Sequence, residues 1–311
     1  MLAGCSHAAP PGPTWPAAEA ARFRWAGSLP SPDATERSLA SRIFAWILGT
    51  EGDPALRLER PFGVAAGGGS VWVSEPDARR VTRFELPDGD AQAVECGWVR
   101  PMGLAWSGDS LLVADAGAGV VVRVGPHGCQ PLGAGSLVAP VGVAATSSVT
   151  FVADAGQRRV LAFDLLGRLR LDFAAEARGV FGAVASGPGG LYAIDLLTFE
   201  ILRLDATGAP RQRLEEPSVR RGDPSANRPL GRPKGVAVDG AGAVFVTDAE
   251  AAEVLVFGPD GRFELTFSGP GVGPGKLAVP AGIAVADGFV FVVDTFRGQL
   301  ELFEILQGGL P

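Results

Sequence analysis

Short apolar runs recur along this chain at near-regular intervals, parted by turns rich in Gly, Pro and Asp. Each unit opens on Pro-x-Gly, at Pro61-Phe62-Gly63, Pro101-Met102-Gly103, Pro140-Val141-Gly142, Pro233-Lys234-Gly235 and Pro280-Ala281-Gly282. Val180-Phe181-Gly182 reads as a further copy, with Val180 in place of the proline. A run of small residues follows, such as Val64-Ala65-Ala66 or Val236-Ala237-Val238, and then a Gly-rich turn. Next comes a β-prone run ending in an acid: Val71 to Glu75, Leu111 to Asp115, Phe151 to Asp154, Leu191 to Asp195, Val244 to Asp248 and Phe289 to Asp294. These runs are nearly continuous in apolar residues rather than alternating, which predicts strands buried on both faces. A third apolar strand follows, as at Val81 to Phe84 and Val254 to Phe257. The fourth is weaker and more polar, as at Ala91 to Cys96 and Arg262 to Phe267.

The unit openings step by 40, 39, 40, 53 and 47 residues. A period of about 40 to 45 residues with four strands per unit predicts propeller blades, and six copies predict an all-β, six-bladed β-propeller. The last unit runs out near Ile305 without a fourth strand. Arg22 to Ala26 alternates and is expected to supply it, closing the ring and covering edges that would otherwise invite aggregation. Thr35 to Leu48 reads as a short amphipathic helix, with Leu39, Ile43, Phe44 and Ile47 on one face, capping one end. The predicted organisation is a tether over 1–21, a closing strand plus helix over 22–57, and the propeller over 58–311.

The blades resemble those of the NHL-repeat family of six-bladed propellers. The resemblance rests on Pro233-Lys-Gly-Val-Ala-Val-Asp-Gly-Ala-Gly-Ala-Val-Phe-Val-Thr-Asp248 and on the linker Phe267 to Pro280, and it spans about Leu58 to Ile305. Trp15-Pro16, the Arg22 to Trp25 strand and Trp46-Ile-Leu-Gly49 are similar to the leading segment of bacterial secreted or lipoprotein members. That resemblance implies an envelope location and, as partner, another envelope protein, such as a multihaem cytochrome complex. Met1-Leu-Ala-Gly-Cys5-Ser resembles a lipobox, which implies lipidation at Cys5 and a membrane contact only through that anchor. The basic and apolar stretches expected ahead of a lipobox are missing, so an ordinary N-terminus with a chance cysteine is the other reading.

Composition narrows the function. Hydrophobic residues make up 47% of the chain, enough for a large core, and no stretch is long and apolar enough to predict a membrane-spanning helix. The net charge of −7 argues against nucleic acid as a partner. Only His7 and His127 are present, too few for a zinc site of histidines, and Asn227 is the sole Asn, against a calcium funnel of the Asp/Glu/Asn type. No haem-attachment motif and no nucleophile elbow occurs, so no cofactor and no catalytic residue is expected. Cys96 and Cys129 fall in the outer-strand regions of consecutive blades; they either form a disulfide in an oxidising compartment or stay two thiols too distant to bond.

The acids Asp115, Asp154, Asp195, Asp248 and Asp294 are expected to hold turns through backbone N–H groups, with a cation-collecting ring as the alternative. Residues that break the repeat on the same rim are the candidate binding residues: Arg79, Arg80, Arg158, Arg159, Phe199, Glu250, Phe296 and Arg297. Phe199 and Phe296 place aromatics in turns that are usually polar, and Leu197 adds to them. The insert Arg220 to Lys234, with Arg221 and Arg232 among its five basic residues, forms a positive lip on an acidic protein. The function expected is a non-catalytic, protein-binding scaffold of the bacterial envelope, accessory to a secreted or electron-transfer complex. The alternatives are a metal-dependent hydrolase or lyase with a cation in the axial funnel, and a glycan binder.

Overall fold

The computed structural model describes residues 12–16, 21–29, 58–86, 91–172, 179–206, 208–214 and 231–306. These form six antiparallel sheets. The innermost strands are Val64–Gly67, Pro101–Ser107, Pro140–Ala145, Phe181–Gly187, Pro233–Val238 and Pro280–Ala286. Each touches the next, and the last touches the first, so the six blades close into a ring. The second strands end in the repeated acids, and each acid from blade 2 onward pairs with the residue that opens its innermost strand. Apolar clusters fill the spaces between neighbouring blades.

The ring is closed by the N-terminal segment. Phe23–Leu29 pairs with Gln299–Ile305 from Phe23↔Ile305 to Leu29↔Leu300, completing blade 6. Phe23 and Leu29 are fully buried. The Phe23 ring stacks on Phe267 of blade 5 at 4.3 Å and meets Phe245 edge-on. Arg22 adds an ion pair to Glu264 of blade 5 at 2.7 Å, and Arg24 one to Glu304. The closing strand is longer than the alternation at Arg22–Ala26 suggests, and the sequence reading did not anticipate Thr14–Trp15, which adds a fifth strand outside it. The helix expected over Thr35 to Leu48 and the lipobox-like Cys5 lie outside the described residues.

Blade 4 corrects the sequence alignment by one residue. Phe181, not Val180, pairs with Asp195, as Pro140 pairs with Asp154 and Pro233 with Asp248. Phe181 therefore stands at the proline position, Gly182 at the middle one and Ala183 at that of the glycine. The glycine position is set by crowding at the hub. A Cβ on Gly63 would lie 2.3 Å from the Met102 carbonyl oxygen, on Gly103 2.7 Å from that of Val141, and on Gly142 2.2 Å from that of Gly182. Gly235 approaches Ala281 and Gly282 approaches Phe62 in the same way. Ala183 carries the only methyl in this series. Gly182 misled the alignment because it packs for another reason, against the Leu196 side chain.

Candidate binding face

The acid at the end of each second strand defines one end of the ring. Asp115, Asp154, Asp248 and Asp294 each tie together two pieces of backbone, and Asp195 holds its own turn through the Leu197 N–H. For those four, one piece is the acid's own turn and the other is the segment before the innermost strand. Asp115 accepts N–H bonds from Val99 and Arg100 at 2.8 Å and from Gly117 and Ala118 at 3.1 and 3.0 Å. Asp154 holds Val138, Ala139 and Gln157 in the same way. Asp248 holds Gly231, Arg232, Glu250 and Ala251. Asp294 holds Ala278, Val279, Phe296 and Arg297. All are buried, and their lone pairs face backbone donors, so the turn reading stands over a cation ring. In blade 1, Glu75 is one carbon longer. It accepts from the Glu59 N–H and the Thr82 hydroxyl, and it forms an ion pair with the half-buried Arg80 at 2.5 Å. That hydrogen bond raises the Arg80 pKa above its ordinary value.

Four residues after each acid the backbone turns left-handed. The residues are Arg79, Gly119, Arg158, Phe199, Ala252 and Gly298, with φ between 52° and 65°. This equivalence was missed in the sequence because four of the six are not glycine. It recasts three candidates: Arg79, Arg158 and Phe199 occupy a conserved turn geometry rather than breaking the repeat. Phe199 is half-buried, and its neighbour Leu197 presents the apolar surface instead. Arg297 is a bracket: it donates to the Lys276 and Gly271 carbonyls of the Gly-rich loop before blade 6 and keeps only a small exposure. Arg159 is half-buried, whereas Glu250 is exposed two residues beyond Asp248. Arg232 is exposed just before Pro233, and Arg221 lies outside the described residues. Cys96 and Cys129 are joined by a disulfide between blades 1 and 2, with Cα atoms 5.8 Å apart.

Exposed apolar surface concentrates on this acid-turn face. Among the described residues nine large hydrophobics are exposed. Six belong to this end: Val99, Val138, Leu197, Val272, Val279 and Phe296, with Val138 at 61%, Leu197 at 57% and Phe296 at 79% exposure. The other three, Leu165, Leu166 and Leu169, sit at the opposite end of blade 3. The pattern follows from paired positions. In blades 2 and 3 the turn residue two beyond the acid is Gly117 or Gly156, which leaves room for Val99 or Val138. In blades 4 and 6 that turn residue is itself apolar, as Leu197 or Phe296. Arg79, Arg100, Arg158 and Arg232 are exposed on the same face, with no ion-pair partner among the described residues. Val99, Val138 and Val279 were not singled out from the sequence. Their signal is position, one or two residues before each proline.

The hub carries little chemistry. The six innermost strands hold one charged residue, Lys234, whose pKa is lowered by burial and by nearby Arg232. No group of three His, Cys, Asp or Glu able to hold a metal occurs among the described residues. His127 lies exposed in an outer turn of blade 2.

These features define a six-bladed β-propeller with one apolar, cation-fringed face. No protein-family model matches the chain, and no curated protein matches it. It is similar in structure to a protein of unknown function from Bacteroides thetaiotaomicron, at a TM-score of 0.67 and 15% identity, covering 81% of this chain and 71% of that one. It is also similar to a catalytically inactive virginiamycin B lyase from Staphylococcus aureus, bound to quinupristin, at a TM-score of 0.60 and 13% identity, covering 83% and 99%. An auxiliary nutrient binding protein from Bacteroides thetaiotaomicron matches at a TM-score of 0.58 and 11% identity, covering 76% and 66%. At these identities the likeness is one of fold.

Proposed function

We propose that the chain is a non-catalytic binding propeller whose acid-turn face docks another protein. The observation that carries this reading is the clustering of exposed large hydrophobics on that face, spread over blades 2, 3, 4 and 6. Monomeric proteins seldom display apolar side chains in such a group without a partner, and aromatic and Arg residues are the usual anchors of an interface. Phe296 and the exposed Arg79, Arg100, Arg158 and Arg232 supply both kinds, which favours a partner with an apolar centre and acidic surround. Structural similarity to a nutrient binding protein is compatible with a binding role.

The disulfide between Cys96 and Cys129 supports an exported location, because such bonds persist in oxidising compartments. The proposed setting is therefore the bacterial envelope, with a lipid anchor at Cys5 and an envelope protein, such as a multihaem cytochrome complex, as partner. A photo-crosslinking residue at Phe296 in the full chain, expressed in its native host, tests the reading. It should trap one discrete partner, and the same residue at Leu166 should not. Equal labelling from both positions, or none from Phe296, would sink the proposal.

A further inference from the structure

At the end opposite the acid turns, a cavity of about 940 Å³ opens between blades 3 and 4. It lies where the repeat places the smallest residue at one cross-strand position. Ala162 in the third strand of blade 3 pairs with Phe151. The equivalent pairs in blades 1, 2 and 4 are Arg83 with Trp72, Arg123 with Leu112 and Arg203 with Tyr192. In blade 1 the Arg83 guanidinium lies over Trp72, 5.9 Å from the ring centre. Blade 3 has a methyl group where those blades carry a long cationic side chain and where blades 5 and 6 carry Val256 and Leu302. The core it faces is also built from small residues, including Ala144, Ala153, Ala162 and Ala193. The interface of blades 5 and 6 is filled instead by Phe23, Phe245, Phe267 and Phe303. Close packing elsewhere and alanines here leave the room that the cavity occupies.

The walls are apolar, with Val149, Phe151, Leu191 and Leu204 among them. The mouth is cationic. Among the described lining residues it carries Arg170, Arg203 and Arg211 against one acid, Asp205, which Arg211 already engages at 2.5 Å. Arg203 is held at the edge by its Nε bond to the Gly189 carbonyl. Arg170 lies 4.0 Å from Asp164, a carboxylate already bonded to Arg168 at 3.0 Å. An excess of positive charge beside an apolar cleft, on a chain of net charge −7, selects for a ligand with both characters. We propose that this cleft binds a small amphipathic carboxylate, its apolar body against Phe151 and Leu191 and its carboxylate toward Arg170 and Arg203. Arginine favours such groups because its planar fork matches a carboxylate. The site is independent of the acid-turn face and does not rest on the docking proposal.

The test is calorimetric titration of the full chain with decanoate, and in parallel with decanol and decylamine. Decanoate should bind saturably, and at least about tenfold more tightly than either neutral or cationic analogue, the difference a charge-assisted bond contributes. Ala162→Phe, which fills the cleft, should abolish binding while circular dichroism remains unchanged. Arg170→Gln, at an exposed side chain that does not threaten the fold, should weaken it by about threefold to tenfold. Absence of saturable decanoate binding would overturn the assignment. So would decanol binding as tightly as decanoate, or binding untouched by Arg170→Gln. If Ala162→Phe fails to fold, Val149→Phe fills the same cleft from its rim and must give the same loss.

Discussion

The Gly282 N–H donates to the Phe62 carbonyl at 2.8 Å, joining the last blade to the first at the hub. The same two residues show why the position is glycine, since a Cβ on Gly282 would come within 2.5 Å of that oxygen. Gly282→Ala should cost about 2–3 kcal/mol in urea unfolding, the usual price of forcing a group into a packed site. Ala183→Gly, at the one hub position where a methyl is already accommodated, should cost about 1 kcal/mol or less.

Closure through the N-terminal strand predicts a second effect. Phe23 is buried between blades 5 and 6 and stacks on Phe267. Phe23→Ala should therefore destabilise the whole ring by about 3–5 kcal/mol. Thermal unfolding should still be cooperative but shifted downward. An unchanged midpoint would mean that the strand is dispensable.

Glu301 predicts a pH dependence. It is buried in the third strand of blade 6, and burial pushes its pKa up to about 7 from 4.5, partly offset by the Trp25 N–H bond at 2.8 Å, by Arg297 and by Ser28, while Asp294 pushes it further up. The folded protein therefore binds more protons than the unfolded chain between about pH 4.5 and 7. For this group, stability is greatest below pH 4.5, falls as pH rises through that window, and is flat above it. The loss amounts to about 3 kcal/mol at most. Glu301→Gln, which keeps the acceptor for Trp25, should raise the unfolding free energy at pH 8 by about 1–3 kcal/mol and remove this slope. Chemical denaturation across pH 4 to 8 on both proteins checks it.

The disulfide closes a sequence separation of 33 residues across blades 1 and 2. Its reduction should lower stability by about 3–4 kcal/mol on the loop-entropy model. Replacing both cysteines by serine should reproduce that loss, and a reductant titration followed by fluorescence measures it.

The blades were readable in the sequence because each repeats two devices with a physical purpose. One is the glycine that lets the next blade approach, and the other is the acid that ties two loops. Where a device changes, the reading slipped. Gly182 sits one residue before the hub position, and Ala183 takes its place, so blade 4 was set one residue early. The left-handed turn position was hidden because Arg79, Arg158 and Phe199 fill it in place of glycine. The apolar face was only partly legible. Phe296 and Leu197 stand out in a polar turn, whereas Val99 and Val138 look like strand residues until the ring places them on the surface. The cleft at Ala162 was invisible, because a small residue in an apolar strand gives no sign that every counterpart in the other blades is bulkier.

The docking face is tested most directly by a combined Val138→Ser, Leu197→Ser and Phe296→Ser variant, set beside Leu165→Ser with Leu166→Ser at the opposite end. The measurement is the affinity of each folded variant for the partner trapped through position 296. The account predicts at least about a hundredfold loss for the triple variant, as removal of apolar anchors does elsewhere, and none for the control. Undiminished affinity in the triple variant, or equal losses in both, would contradict it.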